Sequence, residues 1–219
     1  PPLFGIPVGI KDIIHAEGFE TKAGSDLPIN LFNGDEASLV KKLKEAGALI
    51  LGKTVTTEFA YFEPGDTRNP HNTEHTPGGS SSGSAAAVSS GFTPLAIGTQ
   101  TIGSVIRPAA YCGIIGFKPS FDRIPIDGVI PFSVSVDHIG IFTQDIEGID
   151  LAASVLCTDW KTGIEAKSQA VIGAVTGEYL DQAEAEIISF FELKVAQLQK
   201  KGFKIKRIDP FSNIQEINE

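Results

Sequence analysis

The sequence has 219 residues, 42% hydrophobic and 21% charged, ordinary values for a globular chain long enough to bury a sizeable core. A net charge of −9 and a pI near 4.9 argue against nucleic acid or an anionic membrane as the main partner. No run approaches the ~18–20 consecutive apolar residues of a membrane span, so no membrane partner is expected. Cys112 and Cys157 lack metal-ligand spacing and read as free thiols of a reducing compartment. That sets the expectation of a cytoplasmic protein, although two cysteines leave a disulfide open. The chain opens on Pro1-Pro2-Leu3-Phe4, contains no methionine and closes at Glu219 in a polar run, so it reads as an excerpt of a longer protein.

Short apolar runs alternate with amphipathic stretches, the pattern of an α/β class. Phe4 to Ile10 is a strand candidate ending on Lys11-Asp12. Asp35 reads as the N-cap of a helix carrying Leu39, Val40, Leu43 and Ala46, with Gly47 as its stop. Ala48 to Leu51 follows as a buried strand. Residues 62–77, rich in Pro, Asn and Thr, read as a long exposed loop. Ser84 to Ser90 is small and alanine-rich, a tightly packed helix. Leu95 to Ile97 and Ile114 to Phe117 read as further buried strands, and Asp145 opens a helix through Leu156. Ala170 to Val175, a long helix from about Asp181 to Lys201 with Ile187, Phe191, Val195 and Leu198 on one face, and Phe203 to Ile208 form a strand-helix-strand unit. With no repeat and no low-complexity linker, a single domain over 1–219 is the simplest reading.

The segment Thr76-Pro77-Gly78-Gly79-Ser80-Ser81-Ser82-Gly83-Ser84-Ala85 stands out, because glycines beside hydroxyls let backbone approach a ligand closely. Gly78 and Gly83 have the glycine spacing of a phosphate loop, but no lysine follows. Gly79-Ser80-Ser81-Ser82-Gly83 fits G-x-S-x-G with Ser81 central, and Asp127 and His138 follow in the right order. That motif needs a buried strand before it, and a polar loop stands there instead. Ser38-Leu39-Val40-Lys41 matches S-x-x-K within an ordinary amphipathic helix. His71 and His75 are four apart, between prolines, with no third metal ligand suggested. His15 and His138 are isolated, and Lys118 before Pro119 reads as structural.

Taken together with Gly98-Thr99-Gln100-Thr101-Ile102-Gly103-Ser104-Val105-Ile106-Arg107-Pro108-Ala109-Ala110 and Gly116-Phe117-Lys118-Pro119, the glycine-serine block closely resembles the amidase-signature family. Gly5-Ile6-Pro7-Val8-Gly9-Ile10-Lys11-Asp12 matches the strand that carries that family's catalytic lysine. Ser133-Val134-Ser135-Val136-Asp137-His138-Ile139-Gly140 matches its S-x-S-x-D-x-x-G stretch. The blocks fall in family order along essentially the whole chain.

The resemblance implies a single α/β domain with a mixed β-sheet core between layers of helices. It also implies hydrolysis of a carboxylic amide to acid and amine or ammonia through an acyl-enzyme. Ser104 falls at the nucleophile position, Ser80 at the serine held by a cis peptide bond, and Lys11 at the general base. The backbone amides of Thr101, Ile102, Gly103 and Ser104 fall where the family builds its oxyanion hole, with Gly79, Ser81, Gln100 and Arg107 in support. Ser80 Oγ is expected within hydrogen-bond reach of both Lys11 Nζ and Ser104 Oγ. No metal or organic cofactor is implied. The expected partner is a small-molecule amide, and self-association into a homo-oligomer is left open.

The physical chemistry is consistent with these roles. A serine needs a base to take its proton, and burial favours a neutral lysine by penalising its charged form. Two departures stand out. Gln100 replaces an acid, and the arginine stands at Arg107, three after the nucleophile, with Ile106 in its usual place. Because acid and arginine are lost together, no orphan charge remains, and Arg107 is expected to anchor the catalytic loop. Ile102 replaces a glycine and is expected to narrow the pocket. Two rivals share the motifs: a glutaminase subunit of a tRNA-dependent amidotransferase, which would bring a nucleic-acid partner, and a non-catalytic binding module. The Gln100 and Arg107 pattern favours a stand-alone amidase.

Overall fold

In the computed structural model the described residues are 1–163, 170–211 and 213–218. The chain forms two compact units, Pro1–Thr162 and Gly163–Glu219.

The first unit is organised by a five-stranded mixed sheet. Strands β1 (Pro7–Lys11), β2 (Leu49–Thr54), β3 (Leu95–Gln100), β4 (Ile115–Phe117) and β5 (His138–Thr143) lie in the order β2-β1-β3-β5-β4. β1 runs parallel to β2 and β3, while β5 runs antiparallel to β3 and β4. Side-chain alternation divides the strands' apolar residues between two clusters. Val8, Ile10, Leu95, Ile97, Ile139 and Ile141 pack with helices α1 (Ser38–Glu45) and α4 (Ile146–Leu156) through Leu39, Val40, Leu43, Ile149 and Leu156. Ala96 and Phe142 pack with α2 (Ser82–Ser89) and α3 (Ile106–Tyr111) through Ala85, Val88, Val105 and Ala109.

The small residues of α2 bring it close to the strands. A Cβ at Gly83 would collide with the Val55 backbone, and one at Gly98 would sit 2.6 Å from Ser81 Oγ. Because β1 and β3 are parallel, Lys11 and Gln100 end their strands on the same side of the sheet, where ligands of α/β sheets collect.

Several expectations are corrected. β2 is an edge strand and not a buried one, with Leu49 60% and Leu51 57% exposed. Asp35 does not cap α1, whose N-cap is Ala37. The Asp127 carboxylate does that work from 89 residues away, accepting from Ser38 N at 2.9 Å and Ser38 Oγ at 2.6 Å. By contrast Asp145 caps α4 as read, accepting from Gly148 N at 2.7 Å. Sequence reading missed β5, a short apolar run hidden inside a motif. No helix of the described residues is long and apolar enough to cross a membrane.

The second unit pairs β6 (Val171–Val175) in parallel with β7 (Lys204–Ile208). The helix expected from about Asp181 to Lys201 is α6 (Ala185–Lys200), which starts four residues later; a short α5 (Glu178–Asp181) precedes it and α7 (Ile214–Asn218) lies at the end. Within α6, Val195 is buried and Ile188, Phe191 and Leu198 are half-buried on its face, whereas Ile187 points outward. No buried residue ahead of Ala185 continues that face, which is why the helical periodicity stops there.

Removing the Asp127 cap should cost about 1 kcal/mol, the usual magnitude for a lost helix cap. Urea unfolding of Asp127→Ala should therefore show a lower midpoint at an unchanged slope; an unchanged midpoint would remove the carboxylate from the account of α1.

Candidate active site

The geometry begins with β1, an apolar strand that delivers a charged residue into the interior. Lys11 is fully buried and is among the largest fully buried side chains of the described residues. Its Nζ donates to Ser80 Oγ at 2.8 Å and to Thr99 Oγ1 at 2.7 Å. Neighbouring Asp12 turns away, pairing with Lys53 at 2.9 Å, as strand alternation requires. No carboxylate pairs with Lys11 among the described residues. Desolvation therefore dominates and lowers its pKa from 10.5 to about 7, against a smaller upward pull from the charge of Asp137. Near neutral pH this amine is divided between its protonated form and the neutral form that can accept a proton.

Ser80, nearly buried, follows a cis Gly79–Ser80 peptide bond. Both carbonyls flanking that serine are held. Arg107 Nε and Nη2 donate to Gly79 O at 3.1 and 2.8 Å, and Thr57 N donates to Ser80 O at 3.0 Å. Arg107 thus anchors the serine-bearing loop. Ser81 braces the same loop to β3: its hydroxyl donates to Thr99 O at 3.1 Å and accepts from Thr99 N at 3.2 Å. Ser81 is fully buried there, and a loop precedes it in place of the strand that a nucleophile elbow needs.

Ser104 lies in the turn between β3 and α3, half-buried. Gln100 Oε1 shapes this turn by accepting from Val105 N at 3.0 Å and Ile106 N at 3.1 Å, so a neutral amide satisfies the first donors of α3. The expected bond between Ser80 and Ser104 is not formed, and Ser104 Oγ makes no hydrogen bond to a described residue. Within the same turn the amides of Ile102, Gly103 and Ser104 donate to no acceptor among the described residues, which leaves a cluster of N–H groups beside the hydroxyl.

Two residues extend the site beyond the sequence-derived set. Thr99 shares Lys11 with Ser80. Asp137, buried, accepts from Thr101 Oγ1 at 2.5 Å and from Phe132 N and Ser133 N, each at 2.8 Å. It ties the 101–104 turn to the 132–137 loop while placing a negative charge within range of Lys11. The S-x-S-x-D-x-x-G stretch was the signal that could have singled it out.

Other candidates fall elsewhere. Ser38 is engaged with Asp127 while Lys41 is exposed. His71 Nε2 lies 2.9 Å from Cys112 O, and Lys118 Nζ donates to Pro119 O. His138 Nδ1 lies 2.7 Å from Val136 O. His15, whose pKa is lowered chiefly by burial, lines a separate cleft. Among the described residues no cluster of three His, Cys, Asp or Glu could hold a metal ion. Cys112 and Cys157 are both free and buried.

A mixed sheet of this order, layered by these helices, is the amidase-signature fold. One solved amidase superposes with a TM-score of 0.89 at 32% identity, over 99% of this chain and 51% of its own. The native peptide amidase of Stenotrophomonas maltophilia gives a TM-score of 0.81 at 29% identity, over 95% of this chain and 48% of its own. Among curated proteins, a glutamyl-tRNA(Gln) amidotransferase subunit from Persephonella marina is 42% identical over 162 residues, 71% of this chain. The amidase family profile matches residues 1–219, and the chain belongs to the amidase family. It spans 33% of that curated relative and about half of each solved one.

The lysine makes folding stability depend on pH with a definite sign. Its pKa falls from 10.5 in the unfolded chain to about 7 in the fold, so between those values the unfolded state binds more protons. Stability must then rise with pH across that window, by on the order of 5 kcal/mol from this residue alone. Denaturant unfolding from pH 7 to 10.5 should show the climb, and Lys11→Met should flatten it. An equal slope in both proteins would contradict burial of a titrating amine.

Proposed function

We propose that this chain carries the catalytic centre of an amide hydrolase acting on small-molecule carboxylic amides, with Ser104 as nucleophile and Ser80 and Lys11 as the proton relay. The observation that carries the reading is the buried, carboxylate-free Lys11 in contact with the Ser80 hydroxyl. A lysine held near neutrality in this way is suited to general-base work. When Lys11 is neutral, the 2.8 Å contact reverses, and the Ser80 hydroxyl donates to the amine lone pair. Rotation of the Ser104 hydroxymethyl toward Ser80 then completes the relay.

In the first half-reaction Ser104 Oγ bonds to the amide carbon. Its proton passes to Ser80, whose own proton passes to Lys11 Nζ. The carbonyl oxygen becomes an oxyanion met by the amides of Thr101, Ile102, Gly103 and Ser104, where each preorganised donor is worth ~10²–10³ in rate. The C–N bond breaks as the proton returns through Ser80 to the leaving nitrogen, giving amine or ammonia and an acyl-Ser104 ester. Water attacks that ester, gives its proton to the same relay, and releases the acid while Ser104 regains its proton.

The family match over 1–219 supports counting both units to one amidase domain. Two buried free thiols support a cytoplasmic setting. A second reading, the glutaminase subunit of a tRNA-dependent amidotransferase, is favoured by the name of the Persephonella relative.

A fluorophosphonate probe should label Ser104, and Ser104→Ala should lose both label and turnover, by about 10⁴-fold or more, without unfolding. Because the base must be neutral, kcat/KM should rise with pH and level off above about 7, the pKa of Lys11. Lys11→Ala should remove that limb. Turnover near wild type in Ser104→Ala, or an unchanged pH profile in Lys11→Ala, would overturn the assignment.

A further inference from the structure

Beside Ser104 opens a cleft of about 440 Å³ whose walls are mostly hydrocarbon. Ile102, 86% exposed, lines it together with Tyr61, Phe62 and Phe132. The Tyr61 and Phe132 rings lie 5.8 Å apart and only 15° from parallel, with Phe62 tilted against Tyr61 at 4.6 Å. An apolar cleft lined by aromatic rings beside a reacting centre favours a flat apolar guest.

This wall is built into the catalytic scaffold and is not a loose surface patch. Thr57, whose N–H holds Ser80 O, also donates its hydroxyl to Tyr61 O at 2.7 Å. Phe59 and Ala60 adopt left-handed φ of 49° and 59°, a conformation that non-glycine residues rarely take, and Phe59 N donates to Ala23 O to hold it. The Phe132 amide is in turn fixed by Asp137. The aromatic pair is therefore held by Thr57 and Asp137, the residues whose other hydrogen bonds hold Ser80 and the 101–104 turn.

Charge points the same way. Among the described residues Arg107 is the sole charged one lining the cleft, and its guanidinium is already committed to Gly79 O. No acid among the described residues lines the cleft to receive an ammonium group. The ammonium of a zwitterionic amide such as glutamine, placed in this cleft, would meet no carboxylate among the described residues.

We propose that the cleft beside Ser104 selects amides carrying a flat apolar group, aryl or arylalkyl, next to the scissile carbonyl. This rests on the amide-hydrolase reading above, whose own failure reads out separately as the absence of fluorophosphonate labelling at Ser104. The test compares kcat/KM of the protein for phenylacetamide, propionamide and glutamine. Phenylacetamide should be preferred over each of the others by about tenfold or more, the scale on which apolar pockets discriminate. Phe132→Ala, with Ser104 labelling retained as the check on folding, should lower phenylacetamide turnover by about tenfold and propionamide turnover by less than about threefold. Labelled protein that hydrolyses glutamine or propionamide as well as phenylacetamide overturns the inference alone, as does equal loss on both substrates in Phe132→Ala. Unlabelled protein overturns the hydrolase reading and the inference with it.

Discussion

A lysine with no exposed surface and no ion-pair partner among the described residues is costly to keep charged, and the first unit is arranged around that constraint. The strand that carries it is apolar on the way in, so the amine arrives in a place water does not reach. Two hydroxyls, from Ser80 and Thr99, meet it there, and neither supplies the compensating charge that a carboxylate would. Asp12, the obvious partner in sequence, is drawn off by Lys53. Asp137 acts only through its field, pulling the pKa upward against the larger effect of desolvation. The balance leaves the amine near neutrality, the condition for a base that works at ordinary pH.

Around that amine the sheet and the glycine-rich loop divide the work. Parallel β1 and β3 bring Lys11 and the 101–104 turn to the same end of the sheet, while the loop that leads into α2, a helix thin enough to press close to the strands, carries Ser80 to the amine. The departures from the commoner family pattern fit this arrangement. Gln100 satisfies the first amides of α3 without charge, and Arg107, one residue later than usual, clamps the carbonyl ahead of Ser80. An acid at position 100 is not needed to balance an arginine that already has a carbonyl to bind.

Much of the site was legible in the sequence because its parts are local. Glycines beside serines, a lysine closing an apolar strand and a small-residue helix are short patterns whose physics needs no tertiary context. What stayed hidden depends on contacts across long stretches of chain. Thr99 touches Lys11 from 88 residues away and looks like any strand threonine. Asp127 caps α1 from 89 residues away, so the local candidate Asp35 drew the assignment. Nothing local tells an edge strand from a central one, which is how β2 was read as buried and β5 was overlooked. The aromatic cleft was equally invisible, since Tyr61 and Phe132 meet only once the fold brings their loops together.

The most direct test of the account is the titration of Lys11 itself. With lysine labelled at Cε, carbon NMR should follow one resonance, absent from Lys11→Met, that titrates with a midpoint at about 7. In Asp137→Asn, where the field opposing desolvation is removed, that midpoint should move lower still. A Lys11 resonance that titrates near 10.5 with the solvent-exposed lysines would contradict the claim that burial makes this side chain a base.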